Sequence, residues 1–345
     1  MDIGGRIMAL RKTFHYRNLW LGLAMLWIII FHSRFYIHHP VYRYIQKFGY
    51  GGVDICLFAS GIGCYFSLEK NPDSLVFLKR RLHRLGPTYL CFIIPWILWK
   101  CFVSPLPAPA ILGNLLGVQT FVSWKYHFNW YIGGLILFYL CIPYLKKITD
   151  SYSRPRQDLL AILFLFLISV PFWTQKGNTI VIMSRLPILY TGLVCSKLAK
   201  QDYTLKKADY LILAVTMLIG GVSLPLFDKY LNSYLWQYGL YWYPFLLITP
   251  GFCILLSALA LKLERFPIAK KVLHPIEIVG IYSFEVYLVH VFLYEGFIPE
   301  IQPYIQSIPK NPFWVMTLPV IAAGSFLLNR LAAALVKLCT RQKTA

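Results

Sequence analysis

NLWLGLAMLWIIIFHSRFYI, residues 18–37, is almost wholly apolar as far as Phe31 and then carries His32 and Arg34 near its far end. A helix of about 20 such residues is what it takes to cross roughly 30 Å of hydrocarbon. The stretch therefore reads as a membrane span and the chain as a membrane protein. Ionisable groups inside a span are costly unless they face a polar cavity or a partner, which makes His32 the first candidate for chemistry. Arg34 has two readings: a side chain that snorkels to the interface, or one that meets a substrate.

The rest of the chain repeats the pattern. Of its 345 residues, 58% are hydrophobic, 17% aromatic and 14% charged, too apolar for a soluble domain. The fold class read from this is all-α, a polytopic transmembrane helical bundle in one domain, 1–345. About ten spans are expected, at 18–37, 50–68, 85–103, 128–145, 158–174, 179–196, 208–227, 240–261, 277–297 and 313–336. The net charge of +20 raises nucleic acid as a partner. The basic residues, however, sit in short clusters between apolar runs, which is the pattern of cytoplasmic loops, and nucleic-acid binding is set aside.

Those clusters also set an orientation. The two tails and the connections after the second, fourth, sixth and eighth spans hold 24 Lys and Arg, against 6 in the remaining connections. Both termini are expected in the cytoplasm. The start, MDIGGRIMALRKTFHYRN, is charged and short of apolar length, unlike a cleavable signal. The eight cysteines are scattered with no CxxC pair and read as small apolar residues, with no metal site. One connection is not a simple turn: SPLPAPAILGNLLGVQTFVSWKYHFN (104–129) is bounded by prolines and too short in its apolar part to cross. It is expected to lie on or dip into the outer surface.

Four stretches carry candidate chemistry. In KRRLHRLGPTYL (79–90), Arg80 and Arg84 are four apart and Arg81 and Arg84 three apart, so one helical face presents guanidiniums. Such forks suit a phosphate, or simply anchor the inner boundary. GGVDICLFASGIGCYFS (51–67) places Asp54 near the outer boundary, where it would pair with Arg34 or orient His32. In GIYSFEVYLVHVFLYEG (280–296), Gly280, Ser283, Tyr287, His290 and Tyr294 follow steps of three and four and are expected to share a face. At 1.5 Å per residue, His290 reaches roughly 20 Å from the inner border and His32 about 22 Å, so the two imidazoles would meet if their helices adjoin. Glu285 reads as half of a buried ion pair with Arg185 or Arg330, or as a substrate contact. HFNWYIGGLILFYLCIPYL (127–145) opens with Asn129, Trp130 and Tyr131, an aromatic belt or a sugar-binding surface.

Taken in order, FHS (31–33), GGVDICLFASG (51–61), FLKRRLHRLGPTYL (77–90), NWYIGGLILFYL (129–140), SRLPILYTGL (184–193) and SFEVYLVHVFL (283–293) resemble the acyltransferase-3 family of membrane acyltransferases. The resemblance implies transfer of an acyl group, commonly acetyl from cytoplasmic acetyl-CoA, to a hydroxyl of a carbohydrate or similar acceptor at the outer face of a bacterial membrane. It matches the family's first-helix histidine to His32, its basic motif to Arg81 and Arg84, and its late serine-to-histidine signature to Ser283 through His290. It departs at Leu21, where the family carries a basic residue; Arg17, about one turn lower, is the nearest substitute.

The reading is then an O-acyltransferase embedded in membrane lipid, with His32, oriented by Asp54 and flanked by His290, as general base or transient acyl carrier. Arg17, Arg80, Arg81 and Arg84 would hold the phosphates of acyl-CoA. Arg34, Asn129, Trp130, Tyr131, Ser283, Glu285 and Tyr287 would face substrate. A passage lined by spans one, two, three and nine is expected to lead from the arginines to His32. The competing reading is a transporter or flippase of a lipid-linked glycan.

Overall fold

The structure is a computed structural model that describes residues 8–341 apart from 34, 36, 124, 173–177, 232–237 and 305–309. The spans are helices α1 (Leu10–His32), α2 (Gly49–Lys70), α3 (Ser74–Val103), α4 (Trp130–Ser151), α5 (Pro155–Phe172), α6 (Thr179–Lys200), α7 (Lys207–Tyr230) and α8 (Tyr243–Leu263). They are followed by α9 (Pro267–Ile281), α10 (Ser283–Tyr304) and α11 (Asn311–Cys339). Among the described residues, nine helices are each long and apolar enough to cross a membrane, and α9 with α10 form a further, bent pair. The expected bundle is therefore present. The expected ninth span differs: the chain leaves helical geometry at Tyr282, with ψ at 18°, and the two halves meet at 71°.

Sequence chemistry explains several helix ends. The Asp73 carboxylate accepts from the backbone of Leu75 and Val76 at 2.7 and 2.9 Å, a side-chain N-cap. Helix α3 consequently starts eleven residues before the expected 85, and the arginine motif is helical throughout. Pro155, Pro244 and Pro267 stand in the first turns of α5, α8 and α9, where a missing N–H costs nothing. The 104–129 connection folds into two short helices, Ala108–Leu115 and Gln119–Val122. Leu106, Ile111 and Leu115 of this connection pack on Phe92, Ile93 and Trp96 of α3.

With lipid tails as apolar as leucine, helices associate through close packing and small residues at the crossing points. Three helix pairs here use reciprocal glycines. A side chain at Gly22 of α1 would strike the Ile276 carbonyl of α9, and one at Gly280 of α9 would strike the Asn18 carbonyl of α1. Gly61 and Gly192 pair α2 with α6 in the same way, and Gly220 and Gly251 pair α7 with α8. Helix α2 is the most enclosed of the spans. The N-terminal segment is pinned to the α6–α7 connection by Leu10 N donating to Tyr203 O at 2.9 Å and Leu205 N donating to Met8 O at 3.0 Å. At that same basic end, Lys146 bridges Glu69 and Asp150 at 2.5 and 2.6 Å.

Overpacking a filled contact costs about 1–3 kcal/mol, whereas Gly to Ala in open helix gains up to about 1 kcal/mol. Gly22→Ala and Gly280→Ala should each lower the melting temperature of the detergent-solubilised protein by several degrees. Gly221→Ala, where nothing lies within 4 Å of an added Cβ, should leave it unchanged or raise it.

Candidate functional site

His32 is the last residue of α1, and both of its ring nitrogens are engaged. Nδ1 lies 2.9 Å from the Ile28 carbonyl; a carbonyl only accepts, so Nδ1 carries a hydrogen. Nε2 lies 3.0 Å from Oε1 of Glu295. A lone pair facing a carboxylate would repel it, so this contact holds a proton between the two atoms. The imidazole is 17% exposed and the carboxylate 52%, which makes Glu295 the side of the pair open to its surroundings. The His290 ring stands 5.2 Å from that of His32, centroid to centroid, at the common depth that the helical rise implies. His290 Nδ1 is 2.8 Å from the Val286 carbonyl, and its Nε2 is buried with no hydrogen-bond partner among the described residues.

Local structure delivers these groups. Residues Phe292–Phe297 form a π-helical turn, an irregularity that re-aims the side chains it carries and brings Glu295 to His32. The end of α1 is closed by Gln46, on the short helix Pro40–Lys47. Its carboxamide nitrogen donates to the carbonyls of Ile30, Ser33 and Phe35 at 3.2, 2.9 and 3.0 Å. These are the backbone acceptors that a helix end leaves unmet, and they bracket His32. Lys47 ties this short helix to Asp228 of α7 at 2.5 Å.

Toward the basic end, a cavity of about 60 Å³ is walled by Arg17, Arg81 and Arg84 together with Tyr131, Ser283 and Tyr287. Its walls come from α1, α2, α3, α4 and α10, one helix more than expected, and neither His32 nor His290 is among its lining residues, so this cavity does not extend to His32 as the expected passage would. Arg17 Nε donates to the Ala59 carbonyl at 3.1 Å, and Arg81 Nη2 donates to the Gly63 carbonyl at 3.2 Å. Leu21 is in the same wall, so Arg17, one turn below, does reach the arginine pair. Arg84, Ser283 and Phe284 also line a second cavity of about 290 Å³ between α3, α10 and α11. The break at Tyr282 thus puts the first residues of α10 in the wall of both cavities. A helix N-terminus presents backbone N–H groups and a partial positive charge, and here it adds to three guanidiniums. Away from the basic end, the smaller cavity is followed by a series of tilted and edge-on ring contacts: Tyr131 to Tyr287 at 4.6 Å, Tyr287 to His290 at 5.5 Å, and then His32.

Other expected residues fall elsewhere. Asp54 does not orient His32: it pairs with Arg185 at 3.4 Å, both side chains being buried. The Arg185 guanidinium lies between the faces of Trp130 and Trp242, 4.9 and 5.3 Å from the ring centres, a cation–π arrangement. Trp130 is therefore occupied by a structural cation. Asn129 caps α4 through Tyr131 N at 2.8 Å and accepts from the Tyr287 hydroxyl at 2.6 Å, joining α4 to α10. Glu285 is neutralised by neither Arg185 nor Arg330; it accepts from Asn329 at 3.1 Å. Arg80 is exposed and lines neither cavity. Gly280 lies beyond the break from Ser283, Tyr287, His290 and Tyr294, so the expected five-residue face is divided. Arg34 lies outside the described residues. Glu295, Gln46 and Asn329 escaped the sequence reading. Glu295 alone left a signal, as an acid at the far end of the ninth span.

A family model for an acyltransferase domain, of the acyltransferase-3 type, matches residues 16–330. No curated protein and no solved structure matches the chain.

Removing one partner of a buried ion pair strands the other, at a cost of about 3–5 kcal/mol, whereas replacing both by apolar groups is far milder. Asp54→Leu should therefore yield little monodisperse protein in detergent. Asp54→Leu combined with Arg185→Met should recover a large part of it by size-exclusion chromatography.

Proposed function

For a chain that belongs to the acyltransferase-3 family and is thus a membrane acyltransferase, we propose transfer of an acetyl or similar acyl group from cytoplasmic acyl-CoA to a hydroxyl of a carbohydrate-like acceptor. The acceptor would be reached from the outer face of a bacterial cytoplasmic membrane, and both termini would be cytoplasmic, as the loop charges suggest. One observation carries the reading: a continuous series of side chains joins Arg84, Arg81 and Arg17 to Tyr131, Tyr287, His290 and His32. Its inner end offers cations and a helix N-terminus for phosphates. At its outer end stands the imidazole.

The donor's long arm suits this separation. From the rise per residue, His32 lies about 22 Å up its helix from Arg17, roughly the extended length of a pantetheine arm. A donor held by its phosphates at the inner mouth could present its thioester to His32 without crossing the membrane, and only the acyl group would pass.

The tautomer singles out the working nitrogen. Nδ1 is committed to the Ile28 carbonyl, so Nε2 is the atom that can accept a proton. An arriving acceptor hydroxyl displaces Glu295, which carries the shared proton away from Nε2 and releases it to the surroundings its carboxylate faces; the hydroxyl then gives up its own proton to the freed Nε2 as the oxygen attacks the thioester carbonyl. The carboxylate, close by, stabilises the imidazolium that forms. Collapse of the tetrahedral intermediate breaks the C–S bond, and the imidazolium proton goes to the departing thiolate. The products are the acyl ester and CoA. His290, buried beside His32, walls the site, and the Arg185–Asp54 pair joins α2 to α6.

In a membrane assay with acetyl-CoA and the cell's surface glycan, His32→Ala should abolish transfer while leaving acetyl-CoA affinity within about threefold. General acid–base groups contribute about 10²–10⁴ in rate, and Glu295→Gln should cost a substantial part of that. Retention of near wild-type transfer by His32→Ala would refute the mechanism. Replacing Arg81 and Arg84 together by alanine should weaken acetyl-CoA binding in calorimetry at least tenfold with the protein still folded; unchanged affinity would reduce the cluster to a topology signal.

A further inference from the structure

The larger cavity holds a carboxylate that phosphate binding does not use. Glu285 is only 7% exposed and stands in the wall of the 290 Å³ space. No ion pair among the described residues neutralises it. Arg330 is exposed, with its guanidinium over Phe326 at 4.9 Å. One oxygen of Glu285 accepts from the Asn329 amide at 3.1 Å. The other makes no hydrogen bond among the described residues, yet is not closed off as a buried, partnerless atom. Glu285 and Asn329 both line the cavity.

Such a carboxylate inside a helical bundle is expensive and, by default, marks a function. Arg84 of α3 lines the same cavity, so the space has a cationic wall on α3 and an acceptor wall on α10 and α11. Phosphates belong to the first and are repelled from the second. The acceptor wall has room for a neutral group bearing N–H. Asn329, held by its nitrogen to Glu285, is left with a carbonyl oxygen that also accepts. The side-chain hydroxyls of Thr88 and Ser283 complete the polar lining.

We propose that Glu285 and Asn329 form the site that recognises an N–H donor of the acyl carrier, either an amide of the pantetheine arm or the adenine amino group, while the arginines hold its phosphates. This rests on the reading of acyl-CoA as donor. The carboxylate orients the carrier by hydrogen bonding and excludes its anionic groups from α11. Thioester carriers lacking that N–H would bind through the arginines alone.

The test is calorimetry on the purified full-length protein with acetyl-CoA, 4′-phosphopantetheine and adenosine 3′,5′-bisphosphate. Glu285→Ala and Asn329→Ala should weaken acetyl-CoA about tenfold or more, as expected for a lost hydrogen bond to a charged group. Glu285→Gln, which keeps an acceptor oxygen, should restore most of the affinity, and it serves as the folded variant if the alanine forms do not survive purification. If the donor is a pantetheine amide, the loss appears with 4′-phosphopantetheine and not with the bisphosphate; if it is the adenine amino group, the reverse. Unchanged affinity of Glu285→Ala, Glu285→Gln and Asn329→Ala for all three ligands, with Arg81→Ala/Arg84→Ala still impaired, overturns this site and leaves the donor reading standing. Failure of the wild type to bind acetyl-CoA overturns the donor reading itself.

Discussion

Two backbones in van der Waals contact, α1 and α9 at Gly22 and Gly280, set the geometry on which the site depends. The Ile276 carbonyl lies where a Gly22 side chain would be, and the Asn18 carbonyl where a Gly280 side chain would be. Two residues beyond Gly280 the chain bends by 71°, so α10 departs from a point fixed against α1. That departure brings Ser283 to the arginine cavity and His290 alongside His32. A bulkier residue at either crossing point would push α1, which carries His32, away from α9, the helix from whose end the His290-bearing α10 departs.

Buried charge is handled differently at each level of the bundle, according to the partner at hand. At the basic end, Lys197 pairs with Asp158 and donates to the Thr149 carbonyl at 3.2 Å, so one ammonium serves both an ion pair and a helix end. Behind the site, Arg185 combines a carboxylate with two indole faces. At the end opposite the basic one, Glu295 meets an imidazole that shares a proton with it. Glu285 has, among the described residues, a carboxamide as its hydrogen-bond partner. The first two arrangements are closed and structural. The last two line a cavity or face the surroundings, and they stand at the two ends of the path from Arg84 to His32.

Irregular helix supplies the rest. The break at Tyr282 and the π turn at Phe292–Phe297 flank the nine-residue helix Ser283–Val291. Without the first, no helix N-terminus would face the arginines; without the second, Glu295 would be aimed elsewhere. Gln46 does comparable work for α1, holding the carbonyls on either side of His32. Regular segments thus carry the candidate site's side chains, and short departures from regularity orient them, as irregular backbone in membrane bundles does where it lines a cavity.

The amino-acid sequence by itself determined the helical bundle of nine to ten candidate spans, the uneven distribution of basic loops, and the common depth of His32 and His290. These rest on apolar length and helical rise, which are properties of contiguous residues. It also marked Arg81, Arg84 and Ser283 as candidates through separate short motifs, and the structure places all three in the wall of one cavity. Only the tertiary structure decided that Glu295 rather than Asp54 meets His32, that Arg185 takes Asp54, and that Asn329 takes Glu285. It alone placed Arg17 with the arginine pair and left Arg80 out. Each of those choices turns on which helices adjoin and how each is rotated, and apolar segments say little about either, because one lipid-facing leucine resembles another while crossing points are set by glycines many residues away and by bends with no proline to announce them.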